Sequence, residues 1–377
     1  MTATRTGRPS GNGSRSGTKS TRRLSGKKSA PPPESSARGL ISRKRLMALL
    51  LITVGAFAAA GIYAALAFQD AQVSQSAPPP VDVTMSKALP AAPFVLFRNT
   101  APGQGFGSAA TVPLSRPAGQ RALSEASCDR VYGTHDQTLC LQTKQGLATN
   151  FQATVFDSTW RETRSWPLPG IPNRARTSAD GSLMAATVFV SGHSYSAAGF
   201  STETVIWGAG GQSSGSLEGF ALMLDGNRIK ATDRNIWGVT FAPGKPDVFY
   251  ATASSQGHIW LVQGSIARRT LTVVRSGIEC PSVSPDGTRI AYKKSDTGTL
   301  TGHRSIAVED LASGTETVLS EKQSIDDQIE WLDNSTLVYG LPRDGSEVDS
   351  NIWSIKTEAA AQPVLFIEHG SSPSVVR

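Results

Sequence analysis

Three carboxylates fall within five residues at Asp326-Asp327-Gln328-Ile329-Glu330. Such a group can hold a cation or meet a basic partner, and paired carboxylates can run glycosidase-type acid–base chemistry. The plainer reading is the solvated start of a strand. His193 and Tyr195, in Ser191-Gly192-His193-Ser194-Tyr195, form a second candidate in a loop, where binding residues concentrate. A loop histidine bonded to backbone is its structural alternative. Gly211-Gln212-Ser213-Ser214-Gly215 has the spacing of a nucleophile elbow. The elbow needs a strand before it and a helix after it. Here it lies in a Gly/Ser run with no helical pattern following, so it reads as coincidence. The five histidines show no metal-ligand spacing, and neither H-E-x-x-H nor C-x-x-C occurs. No metal or cofactor is expected.

The elements that would position these groups show as a repeat. Cys280 to Tyr292 reads as two short strands around the turn Ser284-Pro285-Asp286-Gly287. Proline presets φ near −65°, and glycine supplies the positive φ that a type I turn with a following bulge requires. Aligned copies begin at Cys128, Arg174, Gly238, Cys280, Gln328 and Ser372, at intervals of 46, 64, 42, 48 and 44 residues. A period in the forties fits a four-stranded propeller blade. The long interval holds Ser191 to Tyr195 and the Gly/Ser run from Gly208 to Gly215, both read as loop insertions. Second hairpins follow at Ile306–Asp310 with Thr315–Leu319, His258–Val262 with Thr270–Val274, and Asn351–Ile355 with Val364–Ile367. Their β-branched and aromatic content favours strand. The last repeat stops after one strand, and the three strands it lacks precede the first full repeat, at Phe94–Arg98, Ala109–Leu114 and Arg121–Leu123. Closing the ring with the C-terminal strand protects both edges. The expected fold is all-β, a six-bladed β-propeller. Arg174 and Arg176 then share the innermost strand of one blade, and Asp326, Asp327 and Glu330 lead into that of another, so the funnel carries mixed charge. Trp237, Trp331 and Trp353 read as packing between sheets.

The stretch Ser284-Pro285-Asp286-Gly287-Thr288-Arg289-Ile290-Ala291-Tyr292 is similar to the WD-like repeat of TolB-type six-bladed propellers, and Ser178 to Ala186 resembles it too. The resemblance spans roughly residues 94–377. The folded part also looks like a group of anchored TolB-like propeller proteins of actinomycete-type bacteria, a group that implies a fold and no settled activity. TolB proteins carry an additional N-terminal α/β domain, for which no room is expected before residue 94. The resemblance therefore does not bring their outer-membrane Tol–Pal partnership with it.

Residues 1–45 hold twelve Lys or Arg and one acid, Glu34, among Ser, Gly, Thr and Pro, and read as a disordered basic cytoplasmic tail. Leu46 to Phe68 is an uncharged run of 23 residues, long enough at ~1.5 Å per residue for the ~30 Å of hydrocarbon. Arg43-Lys44-Arg45 abuts its start, so the positive-inside rule puts the N-terminus in the cytoplasm and the rest outside. A cleaved signal peptide ending near Ala65-Leu66-Ala67 is the rival reading. Its core would be longer than usual, which favours a signal-anchor, a single-pass transmembrane helix. Residues 69–93, rich in Pro, Ser and Gln, read as a stalk to an ectodomain over 94–377. The tail contributes 12 − 1 = +11 of the formal +7, and the remainder, with 37 − 12 = 25 bases and 30 − 1 = 29 acids, carries −4. The basic charge then meets anionic inner-leaflet lipids, and no nucleic-acid partner is expected. Outside the membrane disulfides persist. Cys128 and Cys140 flank one hairpin turning near Thr134 and form the expected pair, while Cys280 lies too far across the ring and reads as a buried free thiol. The expected function is a non-enzymatic binding or scaffold module in the bacterial cell envelope, for a protein, peptide or glycan. The alternative is an envelope hydrolase acting on peptide or glycan in the funnel.

Overall fold

The computed structural model describes residues 42–377 other than 147, 191–200, 297–301, 345 and 347, with backbone alone over 66–76. His193 and Tyr195, and nearly all of the basic tail, lie outside the described residues.

The turns declare themselves first. Asp286 Oδ1 accepts from Ser284 Oγ and from the Thr288 N–H, and the Gly287 N–H donates to the Ser284 carbonyl at 2.8 Å with φ 71°. Ser178-Ala179-Asp180-Gly181 repeats the same bonds: Ser178 Oγ on Asp180, the Ser182 N–H on Asp180, and Gly181 at φ 69°. Serine and aspartate thus satisfy the turn's amides where no ladder can. Each turn feeds an antiparallel sheet, and the sheets form six blades.

Blade 2 runs outward through Arg130–Gly133, Gln137–Lys144, Asn150–Asp157 and Glu162–Leu168. Blade 3 runs through Ile171–Thr177, Leu183–Val190, Ser201–Gly208 and Ser213–Ser216. Blade 4 starts at Asn235–Phe241, blade 5 at Ile278–Val283 and blade 6 at Ile329–Trp331. Blade 1 closes the ring. Its innermost strand, Gly370–Val376, pairs antiparallel with Phe94–Asn99, with Phe94 opposite Val376 and Asn99 opposite Gly370.

Two expectations change in detail. The long second interval is mostly ordered structure among the described residues: Ser213–Ser216 is the outer strand of blade 3. Beyond it, Ala221–Leu224 and Asn227–Arg228 extend blade 4, the first pairing parallel with Thr270–Ser276. Among the described residues the only helix after the G-x-S-x-G run is the single 3-10 turn Leu217–Gly219, so the run is no nucleophile elbow. Within the stretch read as a stalk, the helix continues to Ser76, and Val83–Met85 joins blade 1 parallel to Arg121–Ser127.

The core is divided. Among the described residues, six apolar clusters each lie between two adjacent blades. Val95, Phe97, Val338 and Ile352 join blades 6 and 1, and Phe94, Leu96, Val131 and Cys140 join blades 1 and 2. Burying each such side chain contributes about 1.5–3 kcal/mol. Trp331 packs between blades 5 and 6 as expected, with its indole N–H on the Ser282 carbonyl at 2.8 Å. Trp237 instead lines a cavity at one end of the central channel.

Cys128 and Cys140 are disulfide-bonded, with Cα atoms 5.4 Å apart. Cys140 sits opposite Val131, so the bond reaches back to the link between blades 1 and 2. Cys280 is free and buried. The bond closes a loop with a sequence separation of 12. Replacing both cysteines by alanine is therefore expected to lower unfolding free energy by about 3 kcal/mol. A urea titration that left the midpoint unmoved would show the bond to be dispensable.

A helix spans Arg43–Ser76, and its Arg43–Ala65 stretch has mean hydropathy 2.2. Its length and composition suit a membrane span or a signal sequence alike.

Candidate binding site in the central channel

Side chains on the innermost strands fill the axis. Alternation puts Arg174 and Arg176 on the same side of Ile171–Thr177, at two depths. Blades 3 and 6 stand opposite in a ring of six, so any contact between them crosses the channel.

At the inner level Arg176 of blade 3 pairs with Glu330 of blade 6. Tyr132 of blade 2 donates its hydroxyl to Glu330 at 3.0 Å and accepts from Arg176 at 3.0 Å. The Arg176 guanidinium also lies 4.8 Å from the Tyr132 ring centroid. Arg176 and Glu330 are 8% and 4% exposed. Burial pushes the Tyr132 hydroxyl up to about 12. Burial alone opposes the Arg176 charge, and Tyr132 with Glu330 more than offset that. This cluster closes the channel at mid-depth.

The expectation that Asp326, Asp327 and Glu330 are all solvated is therefore corrected. Glu330 is the buried half of a bonded pair. Asp327 accepts from the Ser372 N–H at 2.6 Å and from the Gln328 N–H at 2.9 Å, and so latches blade 6 to the closing strand. Asp326 alone is open, with 85% of its side chain exposed. The alternation along Ile329-Glu330-Trp331 does not separate core from solvent, because the inward face of an innermost strand meets the filled axis.

At the outer level the channel opens into a cavity of about 150 Å³ lined by Arg174, Trp237, Glu279, Lys293, Arg304 and Asp326, with Asn173, Phe189 and Cys280. Lys293 is 1% exposed, and its ammonium donates to the Asp326 carbonyl. Arg174, 7% exposed, donates to the same carbonyl. The Asp326 carboxylate stands 3.4 Å from Arg174 and 3.7 Å from Lys293. Lys293 and then Arg174 hold that carboxyl well below the usual range. Burial lowers the Lys293 ammonium and raises the Glu279 carboxyl, which Arg304 approaches at 3.4 Å.

Tyr132, Arg176, Glu330 and Trp331 floor a second cavity of about 230 Å³ on the side of the Ser-Pro-Asp-Gly turns. Among the described residues no group of three His, Cys, Asp or Glu is placed to hold a metal ion. Sequence reasoning found Arg174, Arg176 and the acids but missed Tyr132, Glu279, Lys293 and Arg304. One signal was present: Lys293 follows Ala291 in strand alternation, so a lysine stands where the repeat buries a small residue.

No protein-family model matches the chain, and no curated protein is significantly similar to it in sequence. Solved structures do match in fold. TolB from Acinetobacter baumannii superimposes with a TM-score of 0.51 at 13% identity, over 76% of this chain and 67% of that one. A functionally unknown protein from Desulfotomaculum acetoxidans gives 0.44 at 13% identity, over 79% and 89% of the two chains. The β-propeller domain of the Trilobed protease from Pyrococcus furiosus gives 0.37 at 10%, over 63% and 70%. The first of these establishes a six-bladed propeller like that of TolB, and the other two carry no argument.

Proposed function

We propose that the protein is a single-pass, membrane-anchored binding module that presents its propeller outside the cytoplasmic membrane to an envelope partner, a protein, peptide or glycan. The supporting observation is the outer channel mouth, where two almost fully buried cations meet one solvent-exposed carboxylate beside an aromatic wall. Arg174 and Lys293 are held by the Asp326 and Asn173 carbonyls and by the exposed Asp326 carboxylate, and an exposed carboxylate in that place is one that an anionic ligand group can replace. The twelve bases before the apolar run support an N-in orientation with the tail on anionic lipid. A peptide or glycan hydrolase would need converging acid–base groups. For peptide cleavage, Cys280 at this mouth has no described histidine beside it; the glycan-hydrolase alternative would rest on Glu279 and Asp326, whose carboxyls are shifted in opposite directions.

Two measurements on the full chain test this. A C-terminal alkaline phosphatase fusion is expected to be active and a cytoplasm-dependent reporter dark, and the reverse pattern refutes the orientation. A photo-crosslinking residue at position 326 is expected to yield a discrete adduct in intact cells, and one at position 364 on the outer blade edge none. Adducts from 364 alone, or from neither position, would remove the channel mouth from the function.

A further inference from the structure

The charges at the outer mouth are arranged for a particular ligand end. Arg174 Nε is buried and makes no hydrogen bond among the described residues, although the guanidinium's terminal nitrogens do. Glu279, 3% exposed, accepts from Arg304 Nε on Oε2 at 3.4 Å and leaves Oε1 without a hydrogen-bond donor among the described residues. Two residues that line one cavity thus carry an orphan donor on a cation and an orphan acceptor on an anion. Leaving either unmade is costly in a low-dielectric site.

Asp326 looks like a partial occupant. Its carboxylate is the only acid within ion-pair reach of both Arg174 and Lys293 among the described residues, yet it stands at 3.4 and 3.7 Å. Charge-assisted N–H···O bonds close to about 2.7–2.9 Å when geometry allows. A side chain that is 85% exposed and held at that distance neutralises the two cations without bonding well to either.

We propose, building on the binding reading above, that this mouth receives the C-terminal residue of an extended peptide, its α-carboxylate displacing the Asp326 side chain from Arg174 and Lys293. The residue's own amide N–H then donates to Glu279, and its side chain lies against Trp237 and Phe189. A terminal peptide residue offers, on one residue, an acceptor for Arg174 and a donor for Glu279. Phosphate offers the acceptors alone and meets Glu279 as a like charge. Acetate fills half the site, and a free amino acid adds a second positive charge beside Arg304.

The experiment uses the full-length protein in detergent and defined probes: N-acetyl-trialanyl-phenylalanine as free acid, its C-terminal amide, the depsipeptide lacking the last N–H, free phenylalanine, acetate and inorganic phosphate. The free acid is expected to bind at least tenfold tighter than the amide and roughly tenfold tighter than the depsipeptide. Asp326→Asn is expected to tighten the free acid at least threefold while leaving the amide unchanged, since an internal competitor has been removed. Lys293→Met is expected to abolish binding of the free acid, and the unfolding transition of that variant checks that the ring is intact. Equal binding of acid and amide, no binding of either, or acetate or phosphate matching the peptide would overturn the proposal. So would an unaltered affinity in Asp326→Asn. Free phenylalanine matching the peptide would assign the site to amino acids and overturn the peptide end. An adduct at position 326 in cells together with equal acid and amide affinities would leave the binding module standing and remove this ligand.

Discussion

Removing Gly370–Val376 by truncation after His369 is expected to abolish the cooperative unfolding transition of the propeller. The strand pairs with Phe94–Asn99 on one side and is stitched to blade 2 on the other. Ser372 Oγ exchanges hydrogen bonds with the Val131 N–H and carbonyl, both at 3.1 Å, and Ser374 Oγ accepts from the Gly133 N–H at 3.1 Å. Blade 6 holds the same strand through Asp327 on the Ser372 N–H and Gln328 on the Pro373 carbonyl. Every residue of the strand is buried. Its loss leaves an unpaired edge at Phe94–Asn99 and splits the apolar contacts on both sides of blade 1, so the truncated protein should expose apolar surface and aggregate. Calorimetry and dye binding read this directly, and a single sharp transition at the parental temperature would refute ring closure as the source of cooperativity.

The second large effect lies on the axis. Glu330→Leu leaves the Arg176 guanidinium buried and unpaired, and Arg176→Met leaves Glu330 likewise. Each single change is expected to cost about 3–5 kcal/mol, whereas the double variant recovers most of the loss, because the pair's own desolvation penalty disappears with it. A double-mutant cycle in urea measures the coupling. Two small, additive single effects would mean that the pair is open to water and does not close the channel.

What could be read from the chain was local. Ser-Pro-Asp-Gly names its turn because each residue meets a geometric need within four positions, and the strand-rich intervals follow from it. Ring closure was also legible, since the chain supplies three strands at one end and one at the other. The filled axis was not. Arg176 and Glu330 are 154 residues apart and meet only because the ring sets their blades opposite. No periodicity within a strand carries that information. The bulges on the innermost strands were only half visible. Gly238, Cys280 and Ser372 share positive φ of 64°, 49° and 55°. The repeat aligned all three, yet only the glycine announces such a backbone. At Gly238 the need is steric as well, for an added Cβ would stand 2.8 Å from the Cys280 Cα.

The Arg176–Glu330–Tyr132 cluster gives the ring two faces that do not share a passage. Whatever enters at Asp326 must leave by the same opening, so a long chain can insert an end there but cannot be threaded through. The opposite hollow beneath the Ser-Pro-Asp-Gly turns remains free for a second molecule at the same time. Two partners could then be held on one rigid disc without competing.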